Sequence, residues 1–111
     1  MNTNNRLISE QFSQGNFKDV YSFFEEAIEW NIIGNQLIIG KESVIEFCNK
    51  MLVEMESSIL TNANILEAGN HIVIEGECRY FNEKGEESFV NYCDIYRFED
   101  SKIKTITSYC I

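Results

Sequence analysis

The chain has 111 residues, 44% of them hydrophobic and 13% aromatic, which is enough to build the core of one domain over residues 1–111. Eighteen acidic residues against nine basic ones give a net charge of −9, which argues against nucleic acids and anionic membranes as partners. No apolar run approaches the ~20 residues of a membrane span, and the polar N-terminus lacks a signal-peptide core, so we expect a soluble, cytoplasmic protein.

The N-terminal half combines helical and strand patterns. Apolar residues recur at helical spacing in three segments, and β-prone segments flank a Gly34-Asn35 turn signal. The predicted elements are a helix over Asn5–Gln14, a helix capped by Asn16 and ending near Phe24, strands over Ala27–Ile33 and Gln36–Ile39, and a helix over Lys41–Met55.

After Ser57-Ser58 the apolar pattern changes to a period of two, which is typical of strands. The predicted strands are Ile59–Glu67, His71–Phe81, Glu86–Phe98 and Lys102–Ile111. Helices followed by strands with short hairpin links predict an α+β fold with a mostly antiparallel, curved sheet. Such a sheet, wrapped around three helices, forms a cone with an internal cavity.

The faces of the two long central strands can be assigned from charge. Charged residues mark one face of His71–Phe81, so the other is the covered face; it carries Ile72, Ile74, Gly76, Cys78 and Tyr80. A hairpin around Gly85 then places Ile74 near Asp94. A three-residue turn over Glu99–Ser101 would place Ile106 on the other side of Asp94, whereas a two-residue turn would reverse the faces of the last strand.

Asp94 lies in a strand whose same-face neighbours are Tyr92, Tyr96 and Phe98. Burial disfavours a charged carboxylate, so Asp94 is the candidate general acid or base. The alternative is a structural carboxylate anchored by a tyrosine hydroxyl or a backbone N–H. The candidate ligand contacts are Trp30 and Asn31 after the second helix, Phe47 and Met51 on the third helix, and Ile74, Cys78, Tyr80, Tyr92, Tyr96 and Ile106 on the strands; each of these could instead be ordinary core packing.

The cysteines give no metal-binding pattern, and we expect neither a metal nor another cofactor. No pair among Cys48, Cys78, Cys93 and Cys110 has CxxC spacing, and His71 is the single histidine. Four cysteines could in principle form a disulfide framework. We expect reduced, packed thiols, because a chain of this length does not need disulfides to fold.

Several apolar residues fall on the opposite, partly charged face of the central strands. They are Phe81, Phe89, Cys93, Ile95 and, if the three-residue turn holds, Tyr109. Apolar residues on adjacent strands suggest a covered patch, so we predict a two-fold homodimer that packs sheet to sheet. The alternative is a sheet surface of mixed polarity.

Four segments in this order resemble the nuclear transport factor 2-like superfamily, in its SnoaL-like polyketide-cyclase and ketosteroid-isomerase-like branch. They are Phe12-x-x-Gly15-Asn16-Phe17, Phe23–Trp30, Gly40–Phe47 and Tyr92–Ile103. Ketosteroid isomerases combine an aspartate base with a tyrosine and a protonated aspartate. Here the base falls on Asn31 and the tyrosine near Ile8, so the resemblance retains only the second aspartate, as Asp94.

Three functions are therefore considered. The first is a protein that binds a small apolar or aromatic molecule in the cone. The second, to which the cyclase branch is the better match, is a cyclase- or isomerase-type enzyme with Asp94 as its acid–base residue. The third is a protein–protein interaction module, for which we expect side chains to fill the cavity. Because the isomerase groups are missing at Asn31 and Ile8, we rank binding first.

Overall fold

The computed structural model describes residues 3–111 and confirms the predicted α+β fold. Three helical segments cover one face of a six-stranded, curved sheet. In chain order the elements are α1 (Thr3–Ser13), a 3₁₀ helix (Phe17–Phe23), β1 (Phe24–Ile32), β2 (Gln36–Ile39), α2 (Lys41–Glu54), β3 (Ile59–Ala68), β4 (His71–Phe81), β5 (Glu87–Glu99) and β6 (Lys102–Cys110).

The sheet has the strand order β2-β1-β6-β5-β4-β3. Four of the five neighbouring pairs are antiparallel, and β1 pairs with β6 in parallel, so the sheet is mixed. The chain between β1 and β6 contains β2, α2, β3, β4 and β5. This long connection makes the parallel pairing possible, because a parallel pair needs a crossover rather than a tight turn.

The second predicted helix differs from the structure in type and in length. It is a 3₁₀ helix, and Phe24 begins β1 instead of ending the helix. The side chain of Asn16 makes no capping hydrogen bond to this helix, and its Nδ2 donates to Gln11 Oε1 at 2.8 Å. Phe24 is fully buried as the first residue of the strand, so it contributes to the core that the helical stripe predicted.

The register of the β4–β5 hairpin is as the sequence predicts: Ile74 pairs with Asp94. Gly76 allows an unusually close approach in this hairpin. The side chain of Tyr92 crosses β4 over Gly76, and its hydroxyl donates to Asn62 Oδ1 on β3 at 2.6 Å. A Cβ at Gly76 would overlap the Tyr92 ring and the Thr61 carbonyl oxygen, so this position requires glycine.

The turn between β5 and β6 corrects the predicted pairing. It has two residues, Asp100 and Ser101, both with positive φ (52° and 65°). Lys104 then forms a bulge in β6 and restores the inward direction of the following residues. As a result Ile106 does face inward, but it pairs with Tyr96, and Ser108 pairs with Asp94.

The outer face of the sheet carries the apolar residues that motivated the dimer prediction. Phe81, Phe89 and Tyr109 are exposed by 60%, 54% and 45%, and Cys93 and Ile95 are half-buried. The homodimer remains a prediction. Within residues 3–111 no helix has the length and apolar character needed to cross a bilayer.

Candidate functional site

The inward faces of the strands, the end of α2, and Phe12 and Phe17 from the first two helices line an open cavity of about 490 Å³. Its volume lies in the range typical of small-molecule sites. The lining is mainly apolar and aromatic, with Asp94 as its buried acid. The lining residues are Phe12, Phe17, Trp30, Ile32, Asn35, Phe47, Met51, Glu54, Met55, Ser58, Leu60, Cys78, Tyr80, Val90, Tyr92, Asp94, Ser108 and Cys110.

One side of the Asp94 carboxylate is held by a chain of hydrogen bonds that lines the cavity. Ser108 Oγ donates to Asp94 Oδ1 at 2.7 Å, and Trp30 Nε1 donates to Ser108 Oγ at 2.9 Å. An indole N–H can only donate, so it occupies one lone pair of Ser108 Oγ. The Ser108 hydroxyl hydrogen points at Asp94 when the carboxylate is ionised, because an ionised carboxylate can only accept. We call these three residues the tryptophan arm.

The other carboxylate oxygen is held from the packed interior. Ser13 Oγ donates to Asp94 Oδ2 at 2.7 Å, and Ser13 Oγ lies 2.5 Å from Tyr96 Oη. Because the Ser13 hydrogen is directed at Asp94, the Tyr96 hydroxyl donates to Ser13. Ser13 is the last residue of α1, so the end of that helix is tied to the middle of β5. We call this group the tyrosine arm.

Burial dominates the electrostatics of the site. Burial raises the pKa of Asp94 above its ordinary value of 3.8, although the hydrogen bonds from Ser108 and Ser13 and the nearby hydroxyl of Tyr96 act in the opposite direction. The pKa of Tyr96 is also raised well above its usual range. Burial is the largest cause, and repulsion by a nearby charged Asp94 is the second. Tyr96 therefore keeps its hydroxyl hydrogen and remains a donor at neutral pH.

The structure brings seven of the predicted site residues together around the cavity: Trp30, Phe47, Met51, Cys78, Tyr80, Tyr92 and Asp94. Ile74, Tyr96 and Ile106 also face inward but are fully buried in the core and do not line it. Asn31 is wrong as a cavity contact. It is exposed on the outer face, since consecutive strand residues point to opposite sides and Trp30 points inward.

Sequence reasoning missed Ser13 and Ser108, the two residues that hold the carboxylate. The signals were present. Ser13 follows Ile8, Ser9 and Phe12 on the buried stripe of α1, and Ser108 lies two residues after the inward-facing Ile106. Serine is usually an exposed residue, so neither position stands out in the sequence as part of a buried site.

Nothing in the described part of the chain brings three or more His, Cys, Asp or Glu residues together in a metal-binding arrangement. The four cysteines are unpaired, and Cys78 and Cys110 contribute thiols to the cavity wall. Burial raises the pKa of both thiols, which keeps them protonated and weakly nucleophilic.

The family model of the SnoaL-like domain matches residues 5–106. The chain belongs to this family. The predicted membership in the nuclear transport factor 2-like superfamily is thereby confirmed. Members of the SnoaL-like family are ligand-binding proteins or cyclases and isomerases. No curated protein matches the sequence.

Solved structures agree with this assignment. An NTF2-like protein of unknown function from Cytophaga hutchinsonii is 59% identical, with a TM-score of 0.97, over 100% of this chain and 99% of that one. A putative SnoaL-like polyketide cyclase from Jannaschia sp. CCS1 is 15% identical, with a TM-score of 0.83, over 97% and 85% of the two chains. TerC, co-crystallized with polyporic acid, is 15% identical, with a TM-score of 0.74, over 94% and 86%. The last two show the fold alone.

Proposed function

We propose that this SnoaL-like protein binds a small apolar or aromatic molecule in its cavity, with one polar group of the ligand at Asp94. The observation that carries the proposal is the open, largely apolar space of about 490 Å³ with a single buried carboxylate in its wall. TerC, which has the same fold, has been co-crystallized with polyporic acid, and this supports a small-molecule role for the fold.

The same open space counts against the protein–protein alternative, for which we expected side chains to fill the cavity. Half-buried Met51 and Met55 contribute flexible side chains to its wall. Methionine adapts to ligands of different shape, which suits a binding site better than a fixed interface.

The test uses a pair of valines on opposite faces of the sheet. Val90 lines the cavity, whereas Val73 lies on the outer face, and both are half-buried. Trp30, the one tryptophan of the chain, reports occupancy by its fluorescence. With the uncharged probe N-phenyl-1-naphthylamine, we expect Val90→Phe to weaken binding at least about tenfold, which is about 1.4 kcal/mol, and Val73→Phe to leave it nearly unchanged. Equal losses in the two variants would overturn the proposal.

Acid–base catalysis by Asp94 is the second candidate function, and the raised pKa of this buried carboxyl favours it. Native mass spectrometry of freshly purified protein would reveal any retained small molecule. That molecule, or a homologous series built on it, is then incubated with the wild type and with Asp94→Asn. Conversion by the wild type alone, with both proteins folded, would establish catalysis; recovery of the molecule unchanged from both would leave binding.

A further inference from the structure

Around Asp94 the indole and hydroxyl donors of the cavity wall are already engaged within the protein. Trp30 donates to Ser108, and Ser108 donates to Asp94, so both are already engaged within the tryptophan arm. The hydroxyl of Tyr92, the next inward residue along β5, donates to Asn62. A ligand group that reaches Asp94 must therefore bring its own hydrogen.

A ligand group must bring its own hydrogen to ionised Asp94, and also to an acid that carries its proton on Oδ2. A proton on Oδ1 would face Ser108 Oγ, which can accept from both Asp94 and Trp30 because a hydroxyl oxygen has two lone pairs. The tyrosine arm can reverse, because Ser13 and Tyr96 both carry hydroxyls that donate or accept. A proton on Oδ2 would face Ser13, away from the cavity, and would leave Oδ1 as an acceptor on the cavity side.

The charges around the cavity are of one sign. Glu54, an exposed residue near the end of α2, lines the cavity together with Asp94. Among the described residues that line it there is no lysine, arginine or histidine. The chain as a whole carries a net charge of −9. When both carboxylates are ionised, an anion entering this space meets repulsion and no countercharge from these lining residues, whereas a cation meets attraction.

The walls of the cavity are rich in aromatic rings. Trp30 packs edge-on against Phe12 and Phe47, with ring centroids 5.1 and 5.4 Å apart, and Tyr80 and Tyr92 add rings from β4 and β5. Aromatic faces attract organic cations and also bind apolar groups, so one wall serves both parts of an amphiphilic amine.

We propose that the cavity selects an organic cation, namely a protonated amine carried on an apolar or aromatic body, with its ammonium group at Asp94 Oδ1. The inference rests on the proposed small-molecule function and names the ligand class for the same site. An ammonium ion supplies both the hydrogen and the positive charge that the wall around Asp94 lacks.

The experiment compares three compounds that share one body and differ in the polar group: 4-phenylbutylamine, 4-phenylbutanol and 4-phenylbutanoate. Isothermal titration calorimetry gives their affinities, and Trp30 fluorescence confirms that they occupy the cavity. We expect the amine to bind at least about tenfold more tightly than the alcohol, and the carboxylate to bind more weakly than both. An alcohol or carboxylate that equals the amine overturns the proposal.

Two variants that each remove one carboxylate test which of them is responsible for the preference for the amine. Asp94→Asn is expected to abolish the preference for the amine over the alcohol, with circular dichroism to verify folding. Glu54→Gln changes an exposed residue, so it tests charge without threatening the core, and we expect about a twofold loss of amine affinity. An unchanged preference in folded Asp94→Asn overturns the proposal.

These outcomes distinguish the proposal of cation selection from the proposal of small-molecule binding on which it rests. If all three compounds bind equally and Val90→Phe weakens each of them, small-molecule binding stands and cation selection is wrong. If none of the three binds and N-phenyl-1-naphthylamine also fails to bind, both proposals are wrong.

Discussion

The inward faces of β4, β5 and β6 are close-packed at one end of the strands and line the cavity at the other. Along β5, Phe98 and Tyr96 are buried in close-packed core, whereas Tyr92 and Val90 line the cavity. Asp94 lies between the two pairs. We call the two regions the packed half and the hollow half; the change from one to the other occurs within two residues of Asp94.

The neighbouring strands divide at the same level. On β4 the packed half holds Ile74 and the hollow half Cys78, and on β6 they hold Ile106 and Ser108. Each arm of the hydrogen-bond network belongs to one half, since Tyr96 is in the core and Trp30 lines the cavity. The carboxylate is thus held by the rigid part of the molecule and presented to the open part.

The largest contrast between the halves is expected from two isoleucines. Ile106 is fully buried in the packed half, whereas Ile32 is half-buried in the cavity wall. Ile106→Ala should lower the free energy of unfolding by about 2–5 kcal/mol, because it leaves a void in a closed core. Ile32→Ala should cost about 1 kcal/mol or less, because it enlarges a space that already exists. Urea denaturation of both variants measures the difference.

Equal costs at Ile106 and Ile32 would mean that the hollow half closes around its side chains in solution. The distinction between the two halves would then be lost, and the cavity would no longer support a binding function.

A smaller contrast is expected from two tyrosines on β5. Tyr96→Phe removes a fully buried hydroxyl and leaves Ser13 without its donor, so we expect a loss of about 1–2 kcal/mol. Tyr92→Phe removes a hydrogen bond to half-buried Asn62, which water can replace, and should cost less than about 1 kcal/mol. Thermal or chemical unfolding gives both values. A greater loss for Tyr92→Phe would contradict the assignment of the tyrosine arm to the packed half.

The sequence predicts which face of each strand points inward better than it predicts where the packing ends. Period-two patterning was enough to place Ile74 and Tyr96 inside, with the charges on β4 identifying the face, whereas Ile106 faces inward because a bulge compensates for the shorter turn. It could not tell that these three lie in the packed half, because that depends on how far α1 and α2 extend over the sheet. The prediction that Asn31 contacts the cavity was wrong for a simpler reason. Asn31 follows Trp30 on the same strand, so its side chain points to the opposite face of the sheet.

The partner of Asp94 could not be read from the sequence. The turn at Asp100 and Ser101 places two non-glycine residues at positive φ, which their identities signal only weakly, and the bulge at Lys104 has no clear sequence mark. Together, the turn and the bulge keep the inward-facing residues of β6 facing inward, but they change the β5 residue with which each one pairs. Asp94 consequently meets the hydroxyl of Ser108 where the sequence predicted an isoleucine.

The smallest effect is expected in the pH dependence of stability, and it tests the position of Asp94 at the junction of the halves. Because burial raises its pKa above 3.8, the folded state holds a proton that the unfolded state has already released. The stability from protonated Asp94 is fully present below the unfolded pKa and is lost as pH rises through the folded pKa. For one proton, the slope cannot exceed about 1.4 kcal/mol per pH unit.

Asp94→Asn removes this titration while keeping the shape of the side chain, so the difference in unfolding free energy between wild type and variant isolates it. The wild type should lose stability relative to Asp94→Asn as pH rises from about 4. The other titratable groups coupled to Asp94 do not interfere, because burial raises the pKa values of Tyr92, Cys93, Tyr96 and Cys110 and moves them further from this range. If the wild type instead gained stability relative to Asp94→Asn as pH rises, the hydrogen bonds of the two arms would outweigh burial, and Asp94 would be held as a carboxylate even without a ligand.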